Sequence, residues 1–434
     1  MINKKVLIVA PYPITNPQHG GQKRVRAIYE FYKTIFVEVK FVAVFHRGHY
    51  QDYEDSICLG QPDIIEQLDK NPYAGELIIG KAIDNDIHVR SHMAKLLMDY
   101  QPDIVQIEQI FPYLGLGPLL KELGMKPKLI LSSQNIEYRM KEGIYKSLKL
   151  SKKISDPIVK QTEDLERDFT READLVIAVS KDDAEAHREM GAKKCVVAPN
   201  GIQKTVATKE AIEHWQKFKV KHGIGQAATF IGSGHPPNWV GFIKMVGRDS
   251  SFLPPNAKIL LGGGVSEYFK ATYKFGDPKS AYTKFWANIL PLGHLSEEHL
   301  TGLLAASDIM LLPITSGGGS NLKTAEAILS GKKIVATTYA FRGFEKYARL
   351  PNIYIADQPD EFRRLILKAI AADYVQRTSR QIRLAEKVQW QYCLLPIQRE
   401  LKRLIKPGYK AQVKRYARGG LRRLSRHILK RNDP

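Results

Sequence analysis

The residues best suited to chemistry lie in the stretch PITSGGGSNLKTAEAILSGKKIVATT. Gly317, Gly318 and Gly319 follow the apolar run DIMLLP and precede an amphipathic segment that starts near Asn321. Residues without side chains let a phosphate approach the backbone. The N–H groups of Ser320, Asn321 and Leu322 at a helix start have no partner inside the helix, so they attract anions. Lys323 adds a point charge, and Glu326, one turn on, is placed to accept hydrogen bonds from ribose hydroxyls. Such a constellation neutralises a diphosphate without a metal ion. The same letters also describe a flexible linker before an ordinary helix, and the glycine run alone does not decide between the two.

Other candidates are scattered along the chain. Gly20 and Gly21, in PYPITNPQHGGQKRVRAIYE, follow the first apolar run, but the spacing is not GxGxxG and no acidic residue stands where an adenosine ribose would need it. Arg24 and Arg26 suit phosphate chemistry or, equally, a solvated helix surface. In SSQNIEYR, Gln134 and Asn135 precede Glu137, and a glutamine side chain can hydrogen-bond a hydroxyl but cannot take its proton. Glu108, at the end of DIVQIE, is an ionisable alternative, unless it is simply an exposed strand-end carboxylate. Ser233 lies in GSGHPPN after another apolar run, and His294 and Leu295 follow NILPLG. Asp84, Asn85 and Asp86 have metal-binding DxD spacing, yet they immediately precede a helical pattern at Ile87, where N-capping explains them better. No metal site and no cofactor are expected.

Residues so dispersed need a scaffold that gathers loops. Short β-branched runs alternate with helical stretches along nearly the whole chain, the pattern of a doubly wound parallel sheet. Strands are expected at KVLIVA, VKFVAVF, DIVQIE, KLILSS, DLVIAVS and CVVAPN, with helices over Gln22 to Lys33, Ile87 to Tyr100 and Asp182 to Met190, the last capped by Ser180. A Lys-rich, helix-leaning connector, Gln203 to His222, leads to a second series: ATFIGS, KILLGG, NILPLG, DIMLLP, KIVATT and NIYIA. The economical reading is an α/β protein of two similar domains facing each other, 1–203 and 204–385, with closing helices toward 405 and a basic tail over 406–434. In open α/β sheets ligands bind at the carboxyl ends of strands, where all of these candidate loops fall.

Composition bounds the class. Apolar residues are 44% and charged residues 26% of the 434, which is ordinary for a globular protein and excludes disorder for the bulk. Cys58, Cys195 and Cys393 lie far apart, with neither disulfide-framework nor zinc-site spacing, and a reducing cytoplasm fits them. The apolar run from Val6 to Ala10 is shorter than a signal-peptide core and ends at Pro11, and no stretch is long enough to cross a bilayer. The net charge is +21, and twelve Lys or Arg against Asp433 alone place +11 of it between Leu401 and Pro434. A basic tail on a nearly balanced body points to an anionic surface rather than to nucleic acid.

In their order, the glycine pair, SSQNIEYR, EADLVIAVSKDDAEAHREMGAKKCVVAPNGI, ATFIGSGHPPNWVGF and LGHLSEEHLTGLLAASDIMLLPITSGGGSNLKTAEAILSGKKIVAT resemble glycosyltransferase family 4 of the GT-B fold, over roughly Lys4 to Trp390. The resemblance implies a retaining transferase whose nucleotide-sugar docks on the second domain and whose acceptor docks on the first, across a cleft. Glu326 matches the family's ribose-holding glutamate, whereas the position eight residues earlier, usually a glutamate at the sugar, is Gly318 here. Ser233 stands where an arginine is common, and Gln134 where many relatives carry histidine. His294 and Leu295 match the stretch that flanks the nucleobase. The implied donor site comprises Gly20, Gly21, Ser233, His294, Leu295, Gly318, Gly319, Ser320, Asn321, Leu322, Lys323 and Glu326, and the catalytic candidates are Glu108, Gln134 and Lys323.

In the tail, Leu421, Leu424 and Ile428 form one helical stripe among Arg422, Arg423, Arg426 and Lys430, an interfacial pattern for anionic headgroups. Lys141, Lys146, Lys149, Lys152, Lys153 and Lys160 form a second basic cluster. The expectation is therefore a cytoplasmic glycosyltransferase, peripheral on the inner face of the cell membrane. It moves a sugar from a nucleotide-sugar to a surface glycan or lipid-linked oligosaccharide, with no nucleic acid as partner. Two alternatives stay open at this point: a nucleotide-sugar epimerase of the same fold, and a nucleic-acid-binding protein.

Overall fold

The computed structural model describes residues 1–17, 19–46, 50, 56–59, 62–318 and 320–405. Seven parallel strands form the first sheet: β1 (Ile2–Ala10), β2 (Phe36–His46), β3 (Ser56–Leu59), β4 (Ile104–Glu108), β5 (Lys128–Ser132), β6 (Leu175–Ala178) and β7 (Cys195–Val197). Their order is β3-β2-β1-β4-β5-β6-β7. The second sheet contains β8 (Gln226–Ile231), β9 (Ala257–Gly262), β10 (Ile289–Gly293), β11 (Ile309–Leu312), β12 (Lys333–Ala336) and β13 (Ile353–Ile355), in the order β10-β9-β8-β11-β12-β13. The order in which strands are added reverses between β1 and β4 in one sheet and between β8 and β11 in the other. At such switch points the loops diverge and leave a crevice.

Helices cover both faces of each sheet, so the strands bury both sides and read as unbroken apolar runs. Val6 to Ala10 are wholly buried, as are Val176 to Ala178. One face of the first sheet packs against helix Gly20–Lys33 and the other against helices Gly75–Asn85, Ile87–Tyr100 and Tyr113–Glu122. All strands expected from the sequence form. The edge strand β3 and helices Pro62–Lys70 and Gly75–Asn85 are additional.

The connector after Gln203 is more ordered than its composition indicates. Thr208 caps a helix over Lys209–Lys221 by accepting from the Ala211 N–H at 3.1 Å. That helix packs on helix Glu297–Ala306 where Gly302 faces Ala211, and Trp215 Nε1 donates to the His299 carbonyl at 2.8 Å. The chain crosses between the sheets twice. Ile202 N–H donates to the Val388 carbonyl and Trp390 N–H donates to the Ile202 carbonyl, both at 3.1 Å, so the two crossings are tied together. A Cβ at Gly201 would lie 2.7 Å from Trp390 N, so only glycine permits this approach. Beyond the crossing, helix Leu395–Ile405 returns to the first sheet, burying Ile397 and Leu401 against its core. The stripe Leu421, Leu424 and Ile428, with the rest of 406–434, lies outside the described residues.

Candidate functional site

The loop after β11 leads into helix Leu322–Ser330. Gly317 has φ +117°, a conformation open to glycine, and its carbonyl accepts from the Tyr339 hydroxyl and from Arg342 Nη2 at 3.1 Å. Ser320 is held by Asn200: its Oγ accepts from the Asn200 N–H at 2.8 Å and its carbonyl from Asn200 Nδ2 at 2.7 Å. Asn321 is the N-cap residue, and its side chain makes no capping bond, so the first-turn N–H groups are not closed off by it. Gly319 lies outside the described residues.

Lys323 is fixed rather than free. Its ammonium donates to Asn238 Oδ1 at 2.6 Å and lies 5.8 Å from the centroid of the Phe230 ring. Asn238 is in turn oriented by donating from Nδ2 to the Ser233 carbonyl at 2.9 Å and to Ser233 Oγ at 3.0 Å. Ser233 thus acts on the site through Asn238. Burial lowers the Lys323 ammonium to about 8, against the pull of the Glu326 carboxylate. Burial raises Glu326, while Lys23 and Lys323 draw it back down. His235, the N-cap of helix Pro236–Met245, is lowered by burial and by Lys323.

Lys23 belongs to the other domain, and further contacts bring the two switch points together. A Cβ at Gly20 would meet Leu322 Cδ1 at 3.2 Å, and one at Gly21 would lie 2.7 Å from both Gln134 Oε1 and the Tyr12 hydroxyl. Gln134 Nε2 donates to that hydroxyl at 2.5 Å. A Cβ at Gly318 would collide with Asn135 Oδ1 and lie 2.6 Å from its Cγ. The absence of a glutamate at 318 therefore has a steric account: Asn135 occupies that space. Its Nδ2 reaches Glu137 Oε1 at 3.5 Å. Glu137 is buried, with Oε2 unpartnered among the described residues, and its carboxyl is pushed up to about 8 by burial and by Glu166 and Glu76. Glu166, itself raised to about 7 chiefly by burial, accepts the Glu137 and Tyr138 N–H groups at 3.0 and 3.2 Å and so caps helix Glu137–Ser147.

Three readings from sequence change. Glu108 is not at the surface of the cleft: it is 0% exposed, accepts from Gln106 Nε2 at 2.5 Å, and is raised by burial against the opposing Arg24 charge. Arg24 is no solvated helix arginine but 1% exposed, donating from Nη1 to the Ala198 carbonyl at 2.9 Å and to Asn200 Oδ1 at 3.1 Å. Lys141 leaves the basic cluster, because at 4% exposure it pairs with Glu76 at 2.6 Å. Asp86 caps helix Ile87–Tyr100 by accepting the His88 and Val89 N–H groups, and Asp84 pairs with Arg90. Among the described residues no cluster of three metal-ligating side chains occurs. His294 is exposed and Leu295 half-buried at the carboxyl end of β10, Leu295 facing Gly262. Asn200, Asn238, His235 and Arg342 are not among the residues the sequence points to, although PNGI and GSGHPPN surround three of them.

Two facing parallel sheets, with polar loops converging at both switch points, define the GT-B class. Residues 37–205 match the family model described as Glycosyltransferase Family 4, and the chain is a glycosyltransferase of the GT-B type. Sucrose-phosphate synthase from Thermosynechococcus elongatus superposes with a TM-score of 0.64 at 14% identity, covering 92% of this chain and 99% of that one. Anabaena HepE in complex with UDP gives 0.61 at 15%, covering 92% and 99%. An E. coli trehalose-6-phosphate structure bound with UDP-2-fluoro glucose gives 0.57 at 14%, covering 91% and 99%. No match is found among curated protein sequences. Among the described residues no helix is long and apolar enough to cross a membrane.

Proposed function

We propose that the chain transfers a sugar, with retention of configuration, from a nucleotide-sugar to a glycan or lipid-linked oligosaccharide at the inner face of the cell membrane. The observation that carries this reading is the meeting of two loops. The glycine run with Lys323 and Glu326 faces Gln134 and Asn135 across the junction of the domains. UDP in the HepE structure and UDP-2-fluoro glucose in the E. coli one support a nucleotide-sugar as donor.

In this scheme the diphosphate lies at the N-terminus of helix Leu322–Ser330, where the Ser320, Asn321 and Leu322 amides and Lys323 stabilise the leaving charge with no metal. Glu326 holds the ribose, His294 and Leu295 border the base, and Gly20 and Gly21 leave room beside Leu322. The sugar lies toward Gln134 and Asn135. Its C1–O bond to phosphate breaks as the acceptor oxygen bonds from the same face. Gln134 cannot take the acceptor's proton and Glu108 is sealed in the core, so the proton passes to the departing phosphate oxygen.

The membrane reading rests on charge. Helix Glu137–Ser147 runs about 16 Å from the Gln134 loop to a turn carrying exposed Lys146, Lys149, Lys152 and Lys153. Leu148 and Ile154 there are 49% and 46% exposed, as an interfacial surface requires.

A thermal-shift panel of UDP-, GDP-, ADP- and dTDP-sugars tests the donor, since a ligand that binds only the folded state raises its melting temperature. Nucleotide release that requires a glycan acceptor separates transfer from epimerisation. A panel without any shift would refute the reading.

A further inference from the structure

We propose that Asn200, in the first crossing between the domains, is a positioning residue that sets the donor loop for diphosphate recognition. The inference rests on the donor reading above and names a residue to which that reading gives no part.

Three hydrogen bonds join Asn200 to Arg24 on one side and to Ser320 on the other. Its Oδ1 accepts from Arg24 Nη1 at 3.1 Å, and the same nitrogen is tied to the Ala198 carbonyl at 2.9 Å, so the carboxamide is anchored in the first domain. Toward the second domain, Asn200 Nδ2 donates to the Ser320 carbonyl at 2.7 Å and the Asn200 N–H donates to Ser320 Oγ at 2.8 Å. Only a group that both accepts and donates serves both partners, and a carboxamide is one.

The consequence follows from peptide geometry. In a trans peptide the C=O and the following N–H point in opposite directions. Drawing the Ser320 carbonyl toward Asn200 therefore turns the Asn321 N–H away from the crossing and out of the helix start, where phosphate oxygens are proposed to sit. With Ser320 Oγ accepting from Asn200, its hydroxyl proton remains free to donate. Arg24 is held in place by burial and by the charge of Glu108, with Nε and Nη2 making no hydrogen bond among the described residues. The path Glu108, Arg24, Asn200, Ser320 thus runs from the core of one domain to the donor loop of the other.

The test is Asn200→Asp in the full chain. The carboxylate still accepts from Arg24 but presents an acceptor to the Ser320 carbonyl, so the loop loses its aim while the anchor remains. Binding is measured by calorimetry for the nucleoside diphosphate, and the matching monophosphate, of whichever base binds wild type most tightly among uridine, guanosine, adenosine and thymidine. The diphosphate is expected to bind roughly tenfold more weakly, the worth of one well-placed hydrogen bond. Monophosphate affinity and the ligand-free melting temperature should remain at wild-type values. Equal diphosphate affinity in the variant overturns the role of Asn200 alone. Equal loss for both nucleotides, with a lowered ligand-free melting temperature, reduces Asn200 to a structural residue and also overturns it. If none of the four diphosphates binds wild type, the donor reading fails and this inference falls with it.

Discussion

Lys323 gives the proposed donor site a pH signature that its chemistry does not otherwise require. Burial brings its ammonium from the ordinary lysine range to about 8, so near neutrality the free protein holds a charge that its surroundings only partly support. A diphosphate beside it favours the charged form and moves the group back up, so binding draws in a proton wherever the free amine has lost one. The sign is fixed: affinity is nearly full at pH 7 and below and declines as pH rises through 8. About nine in ten molecules are protonated at pH 7 and about one in eleven at pH 9, so affinity should fall about tenfold, or about 1.4 kcal/mol, between them. Calorimetry at pH 8 in two buffers of different ionisation enthalpy should show uptake of about half a proton per nucleotide-sugar. Lys323→Met should bind weakly and with no such dependence. Wild-type affinity that is constant from pH 7 to 9, with no buffer effect, would refute the assignment of Lys323 to the phosphates.

Other perturbations read the remaining parts. Glu326→Ala should weaken nucleotide-sugar binding by about 1–3 kcal/mol while sparing the melting temperature, because it removes ribose contacts and leaves the buried Ala325, Ala327 and Ile328 in place. Gly318→Glu should lower kcat/KM by roughly tenfold or more, because the new side chain meets Asn135, and adding Asn135→Gly should recover part of the loss. EDTA should leave transfer undiminished, and activity lost on chelation and restored by magnesium would redraw the site. Deleting 406–434 should abolish most co-sedimentation with anionic vesicles, at about 1 kcal/mol per basic residue near the surface, yet leave turnover of a water-soluble acceptor analogue nearly unchanged. A truncated protein that still pellets would move membrane contact to the Lys146–Lys153 turn.

Most of the fold is legible because parallel strands buried on both faces must be apolar throughout, and runs such as Val6 to Ala10 announce themselves. Ser56–Leu59 does not, since four residues at a sheet edge carry too little pattern to separate from a loop. In the proposed site, the glycine run and Glu326 stand out in the sequence because the features that would make an anion site at a helix start are local. Arg24 does not: its partner Ala198 lies 174 residues away, and nothing in HGGQKRVR distinguishes a buried arginine from a solvated one. Lys141 fails the same way, its partner Glu76 being 65 residues distant. Gly318 could be read only as a departure from the family pattern. The reason for it, Asn135, appears once the two loops face each other.

The two asparagines share one physical logic. Asn200 grips Ser320 at one end of the glycine run and leads back to the buried Arg24 and Glu108. Asn135 touches Gly318 within it and leads back to the buried Glu137, Glu166 and Lys141, the last paired with Glu76 at the surface. Buried charges are a poor means of stabilising a fold, since desolvation consumes much of their attraction, and Arg24 and Glu137 each keep buried atoms without hydrogen bonds. Stability alone therefore gives no account of either cluster, whereas rigid placement of a carboxamide does. Both clusters lie in the first domain and both carboxamides act on the loop of the second. Separating the domains would break the Asn200 and Asn135 contacts together and leave the glycine run held at Gly317 by Tyr339 and Arg342.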